Sequence, residues 1–93
     1  MRLEWTLQAL GDLRETAAFI NRDNPSAAAR IADRIQTAAE ILLDHPHLGR
    51  PGRRQLTRAM VVSGTPLIII YWVQGGAVQI LRVLHHSRKW PAA

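Results

Sequence analysis

The sequence predicts an α+β domain in which a helical hairpin packs on a small antiparallel sheet, in the order β-α-α-β-β-β. Two amphipathic helical patterns occupy the first half of the chain, and three β-prone segments occupy the second half. The residues between these segments are typical of short turns. Ninety-three residues are enough for one domain, so residues 1–93 form a single predicted unit.

The first half is predicted to contain a short strand and two helices. Residues 3–6 alternate in polarity, as a short strand does. Apolar residues then recur at steps of three and four: Ala9, Leu13, Ala17 and Ile20 in the first helix, and Ala28, Ile31, Ile35, Ala38 and Leu42 in the second. Asp12 lies off the first stripe. Asn24-Pro25 supplies an N-cap and a first-turn proline for the second helix, and His45-Pro46 ends it.

The second half is predicted to be a loop followed by three strands. Prolines and glycines interrupt residues 46–54, which therefore form the loop. The strands cover residues 57–62, 67–73 and 78–84, and Gly75-Gly76 between the last two is a two-residue hairpin signal. The middle strand is apolar on both faces, so we expect it at the centre of the sheet.

Charge is distributed very unevenly along the chain. All seven acidic residues lie in the first 44 positions, whereas the remaining 49 residues carry seven cations and no acid. Solubility alone does not explain an acid-free stretch of this length. A surface of one sign favours an anionic partner, either a nucleic acid or an acidic protein. Arginine, which makes up eleven of the twelve cations, binds carboxylate and phosphate groups with two parallel hydrogen bonds.

The arginines of the second half are the main candidates for binding such a partner. Arg58 and Arg82 lie in neighbouring predicted strands and could reach one region near the loop arginines, which are Arg50, Arg53 and Arg54. An alternative for either strand arginine is a structural ion pair with an acid of the helices. For Arg82 this alternative is favoured, because its strand is so apolar.

Catalysis has weaker support than binding. His85-His86 lies at the end of the last strand, where one imidazole could act as a general acid or base. Adjacent residues of an extended chain point to opposite faces, so at most one would join a given site. The alternative is a histidine that is hydrogen-bonded to backbone. No carboxylate accompanies them, and neither a metal site nor a cofactor is expected.

The sequence also gives expectations for the C-terminal residues and for the cellular compartment. Trp90-Pro91 is predicted to cover the edge of the core, with partner contact as the alternative. No apolar run approaches the roughly 20 residues that span a bilayer, and the N-terminus lacks the apolar segment of a signal peptide. With no cysteine in the chain, a cytoplasmic protein without disulfides is expected.

Taken together, the order and spacing of several short motifs resemble the RelE/ParE superfamily of type II toxin–antitoxin toxins. The resemblance covers nearly the whole chain. It rests on Trp5, Ala9, Asp12-Leu13, Asn24-Pro25, Ala27-Ala28, His45-Pro46, Leu48-Gly49-Arg50, Thr57-Arg58, Tyr71-Trp72-Val73, Ile80 to His85, Arg88 and Trp90-Pro91. The segment from Val83 to Arg88 looks more like the ParE branch. The glutamate of nuclease members would be expected between Arg50 and Gln55, and none is present.

A ParE-like protein is expected to inhibit DNA gyrase without catalysis and to form a hetero-oligomer with a small antitoxin. The residues that would then bind the target are Arg50, Arg53, Arg54, Arg58, Arg82, Arg88 and Trp90. The alternative implied by the RelE branch is a ribosome-dependent mRNA endonuclease, in which Arg58 with His85 or His86 would take part. A basic module that binds nucleic acid directly is a third possibility.

Overall fold

The computed structural model describes residues 1–87 and 90–91 of the chain. Within them the elements follow one another as a strand, two helices and four further strands. Their bounds are β1 Arg2–Trp5, α1 Leu7–Asn21, α2 Pro25–Asp44, β2 Arg50–Pro51, β3 Arg58–Val61, β4 Leu67–Gln74 and β5 Ala77–His85. The predicted α+β class is confirmed, and the predicted β-α-α-β-β-β order is present with one additional short strand, β2, after the helices. The two-residue strand β2 lies inside the segment that was predicted to be loop.

One sheet contains the five strands of the described chain, in the order β1-β5-β4-β3-β2. The pairs β5–β4, β4–β3 and β3–β2 are antiparallel, but β1 runs parallel to β5. The sheet is therefore mixed and not wholly antiparallel. Two parallel strands need a long connection between them. The connection from β1 to β5 begins with the helical hairpin. Gly75 and Gly76 both have positive φ and form the predicted tight turn between β4 and β5.

The second helix begins as the sequence predicts, the first begins after Thr6, which was predicted to belong to a strand, and the two are buried to different extents. The side chains of Thr6 and Asn24 accept hydrogen bonds from backbone N–H groups three residues on, and so cap α1 and α2. The predicted stripe of α2 is confirmed, since Ile35, Ala38 and Leu42 are buried. The stripe of α1 is only partly correct: Ala9 is buried, whereas Ala17 is exposed.

The core lies between the helices and one face of the sheet, which we call the helix face. Its largest fully buried side chains include Tyr71, Ile35, Leu42, Ile69 and Ile80. The opposite face, which we call the open face, includes Ala59, Ile70 and Trp72, because neighbouring residues of a strand alternate between faces. No helix in the described part of the chain is long and apolar enough to cross a membrane.

Candidate target-binding surface

The loop arginines lie around β2, at one edge of the sheet. Arg50 belongs to β2 and pairs with Ala59 of β3. Together with Arg53 it lines a cavity of about 200 Å³ on the open face, whose apolar floor includes Ile68 and Ile70. Both arginine side chains are exposed. The predicted grouping of the loop arginines is therefore present at this edge.

Arg54 lies at the same edge of the sheet and is close to residues on both of its faces. Its guanidinium carbon lies 5.9 Å from the centre of the Trp90 ring, within the range of a cation–π contact. Arg54 also lines a cavity of about 380 Å³ with Arg58 and His47 on the other side of β2. The turn that carries it is fixed by Thr57, whose N–H and hydroxyl both donate to the carbonyl oxygen of Arg54.

Arg58 is held in place by carbonyl oxygens. It lies directly opposite Tyr71 in the β3–β4 register and therefore extends from the helix face. Its Nη1 donates to the carbonyl oxygen of Gly49 at 2.8 Å and makes a longer contact of 3.4 Å with that of His47. No carboxylate of the described chain lies within 4.0 Å of this guanidinium. Its position is fixed, but its charge is not neutralised by a neighbouring acid.

The segment that holds Arg58 is itself held by Tyr71. The Tyr71 hydroxyl donates to the carbonyl oxygen of Pro46 at 2.8 Å and accepts from the Gly49 N–H at 2.9 Å. Burial raises the pKa of Tyr71, although the Gly49 hydrogen bond and the charge of Arg58 oppose this shift. A Cβ atom at position 49 would lie 2.8 Å from the Tyr71 ring and hydroxyl, so only glycine fits without rearrangement.

Arg82 has a different environment and does not join the other arginines. Its Nε and Nη2 donate to the two carboxylate oxygens of Asp12 at 2.8 and 2.9 Å, and Asp12 also accepts from the Val83 N–H at 2.9 Å. The hydrogen bond with Asp12 raises the pKa of Arg82 further. The structural ion pair favoured for this residue is thus present. Arg82 pairs with Ile70 and lies on the opposite side of the sheet from Arg58, so the expectation that they share one region is wrong.

Asp12 is the structurally important residue that the sequence pattern did not reveal. It lies off the apolar stripe of α1, yet it is only 7% exposed. It is buried because β1 pairs with β5 only as far as Trp5 and Ile80, so that an acid of α1 covers the strand edge beyond that point. A lone arginine in an apolar strand was the signal that such an acid should exist, but periodicity could not say which acid it was.

The two histidines at the end of β5 have separate partners. Nδ1 of His85 lies 2.8 Å from the Ser87 hydroxyl, and Nδ1 of His86 lies 3.2 Å from the carbonyl oxygen of Pro66. Their rings are stacked at 4.5 Å, so the expectation that they point to opposite faces is wrong. The strand ends at His85, and alternation does not continue beyond it. Even so, only His86 lines the open-face cavity with Arg50 and Arg53.

The remaining predicted positions are near the C-terminus. Trp90 is half-buried and lines the same open-face cavity as Ile68 and Ile70, so it covers apolar side chains of the open face and not, as predicted, the edge of the core. Arg88 lies outside the described residues. Within residues 1–87 and 90–91 there is no cluster of three His, Asp or Glu side chains that could hold a metal ion.

Comparisons with known proteins agree on one family. Residues 3–90 match the sequence model of the ParE toxin of type II toxin–antitoxin systems, parDE. The Y4kP protein of Sinorhizobium fredii is 46% identical over 90 residues, which cover 97% of this chain and 93% of that protein. Toxin RelE2 of Caulobacter vibrioides is 39% identical over 84 residues, covering 90% of this chain and 93% of that protein.

Solved structures show the same fold. A chain of the chromosomal ParDE toxin–antitoxin system from P. aeruginosa superposes with a TM-score of 0.83 at 25% identity, over 91% of this chain and 95% of the other. A YoeB/ParE toxin from Agrobacterium tumefaciens superposes with a TM-score of 0.67 at 19% identity, over 92% and 99% of the two chains. The chain belongs to the ParE toxin family of type II toxin–antitoxin systems, within the RelE/ParE superfamily, and this membership implies an antitoxin partner.

Proposed function

We propose that the protein stops growth by binding DNA gyrase without catalysis, and that a small antitoxin neutralises it. One observation carries this proposal: Arg50, Arg53, Arg54 and Arg58 surround β2, and no acid of the described chain pairs with any of them. Guanidinium groups in this state favour carboxylate or phosphate groups of a partner. We call these four residues together with Trp90 the arginine edge.

The target-binding residues of this proposal are those of the arginine edge. Arg88 remains a predicted member. Arg82 takes a different role, because Asp12 already occupies two of its donors. No acidic residue occurs after Asp44, so the half of the chain that carries this surface contains no carboxylate that could act as a catalytic base. This supports binding in preference to bond cleavage.

The proposed antitoxin covers the same surface. A segment with acidic and apolar residues would match the guanidinium groups and the exposed side chain of Leu56, which is 73% exposed in the turn next to Arg54. Leu56 has a φ of +68°, a backbone conformation that leucine rarely adopts. The toxin and antitoxin would form a hetero-oligomer in the cytoplasm.

The direct test is inhibition of DNA supercoiling by purified gyrase. The unmodified toxin should inhibit it, and the variant Arg50→Gln/Arg53→Gln/Arg54→Gln should inhibit it much less. A matched control, Arg14→Gln/Arg22→Gln/Arg30→Gln, removes the same charge from exposed positions in and beside the helices and should retain inhibition. Full supercoiling activity in the presence of excess unmodified toxin would refute gyrase as the target.

A second candidate function, mRNA cleavage on the ribosome, has one specific observation in its favour. His86 lines the open-face cavity together with Arg50 and Arg53, so that one histidine and two arginines border the same space. An imidazole can transfer protons near neutral pH, and the guanidinium groups can bind phosphate.

Primer extension on translated mRNA after induction of the toxin separates the two functions. New 5′ ends that disappear in a His86→Gln variant, but persist in a His45→Gln control, would support cleavage. Growth arrest without new 5′ ends would exclude it and leave the gyrase proposal in place.

A further inference from the structure

Tyr71 has a hydrogen-bonding arrangement that packing alone does not explain. The residue is fully buried, and a phenylalanine would fill nearly the same space without a hydroxyl that needs partners. Both hydrogen bonds of the hydroxyl go to residues 46–49, the segment between α2 and β2. The backbone of Gly49, one of these partners, also binds the Arg58 side chain.

Gly49 connects Tyr71 to Arg58. Its N–H donates to the Tyr71 hydroxyl at 2.9 Å, and its carbonyl oxygen accepts from Nη1 of Arg58 at 2.8 Å. The neighbouring carbonyl of His47 makes the second, longer contact with the same nitrogen. Tyr71 and Arg58 are also directly opposite each other in the β3–β4 register. One hydroxyl thus fixes the backbone that in turn fixes the guanidinium.

We propose that Tyr71 is a positioning residue, which holds residues 46–49 so that the Arg58 guanidinium is ordered before the target binds. The inference rests on the proposed role of Arg58 in target binding. An unrestrained arginine loses considerable side-chain freedom when it binds a partner. An arginine that is already held by two carbonyl oxygens loses less, and this increases affinity without adding a contact.

The first experiment observes the guanidinium groups of the isolated toxin by nitrogen-15 NMR. In the unmodified protein, rotation about the Cζ–Nη bonds of Arg58 should be slower than that of Arg53, for which the described chain offers no hydrogen bond. In Tyr71→Phe the Arg58 rotation should become as fast as that of Arg53. Equal rotation of the two arginines in the unmodified toxin would overturn the proposal, and this comparison needs no variant to fold.

The second experiment measures the toxin concentration needed for growth arrest in cells that lack the antitoxin. Tyr71→Phe should raise this concentration roughly three- to tenfold, the factor that corresponds to ordering one flexible side chain on binding. In an Arg58→Met background, adding Tyr71→Phe should have no further effect, because its consequence acts through Arg58. An equal effect in both backgrounds would indicate general destabilisation and would contradict the proposal.

Thr6→Val is the matched control for this cycle. The Thr6 hydroxyl also donates to one carbonyl oxygen, that of Leu81, and accepts from one N–H, that of Ala9, but it lies at the other end of the sheet. Its effect should be the same with and without Arg58→Met. If Arg58→Met leaves growth arrest intact, the proposed role of Arg58 in target binding fails, whereas the NMR comparison still decides whether Tyr71 orders the guanidinium.

Discussion

Arg58 and Arg82 are both strand arginines, but the structure uses them in opposite ways. Arg82 donates two hydrogen bonds to the buried carboxylate of Asp12, so its charge is compensated within the molecule. Arg58 donates to backbone carbonyl oxygens, which fix its position but carry no net charge. The difference shows that an ordered arginine is not necessarily a structural one. The identity of its acceptors decides whether its charge remains available to a partner.

The largest change in the free energy of unfolding should come from removing the carboxylate of Asp12. In Asp12→Ala, the Arg82 guanidinium and the Val83 N–H both lose their acceptor, so the free energy of unfolding should fall by about 3 kcal/mol or more. Urea denaturation would measure the change, with Asp33→Ala, an exposed acid of α2, as the control. A loss below about 1 kcal/mol would mean that Arg82 is no more structural than Arg58.

An intermediate effect is expected when each arginine is replaced by methionine. Arg82→Met removes two charge-assisted hydrogen bonds and leaves the buried Asp12 carboxylate with the Val83 N–H as its remaining partner, so it should reduce the free energy of unfolding by about 2–3 kcal/mol. Arg58→Met should cost less than about 1 kcal/mol, because no charge is left unpaired.

Growth arrest should change in the reverse order. Arg58→Met should weaken it, and Arg82→Met should retain it at a temperature where the variant is folded. Thermal unfolding of both purified variants, together with induction in cells without the antitoxin, provides the two measurements. Loss of growth arrest by a fully folded Arg82→Met protein would contradict the division of roles between the two arginines.

The smallest effect on stability is expected at alkaline pH. It concerns Tyr71, which holds the backbone segment that binds Arg58. Burial raises the pKa of Tyr71 above its unfolded value of about 10. Folding therefore favours the protonated phenol. This contribution to stability is fully present below about pH 10 and is lost as pH rises through the folded pKa. The pKa of Arg82 is also raised, by its hydrogen bond with Asp12, so its guanidinium stays charged over this range.

Tyr71 is the only tyrosine of the chain, so phenolate absorbance reports this group alone. Ionisation should begin above about pH 10 and should lower the free energy of unfolding measured in urea as it proceeds, and Tyr71→Phe should abolish this part of the pH dependence. Ionisation near pH 10 in a protein that remains folded would show that the hydroxyl does not hold residues 46–49.

The fold could be predicted largely because its signals are local. The caps at Asn24 and Pro25, the apolar stripe of α2 and the Gly75-Gly76 turn each act within a few residues, and the structure agrees with them. The parallel pairing of β1 with β5 was not predicted, because it joins residues more than seventy positions apart. The strand β2 was missed because two residues between prolines and glycines give no periodic pattern.

The sequence by itself determined which kinds of residue occupy each half of the chain, and hence that the second half is basic and free of acids. Only the tertiary structure decided which arginine has its charge compensated by an acidic side chain. Asp12 and Arg82 are separated by 70 residues, and their contact depends on how α1 lies along the edge of β5. Side-chain periodicity describes one element at a time, whereas the neutralisation of a charge depends on the element that folds against it.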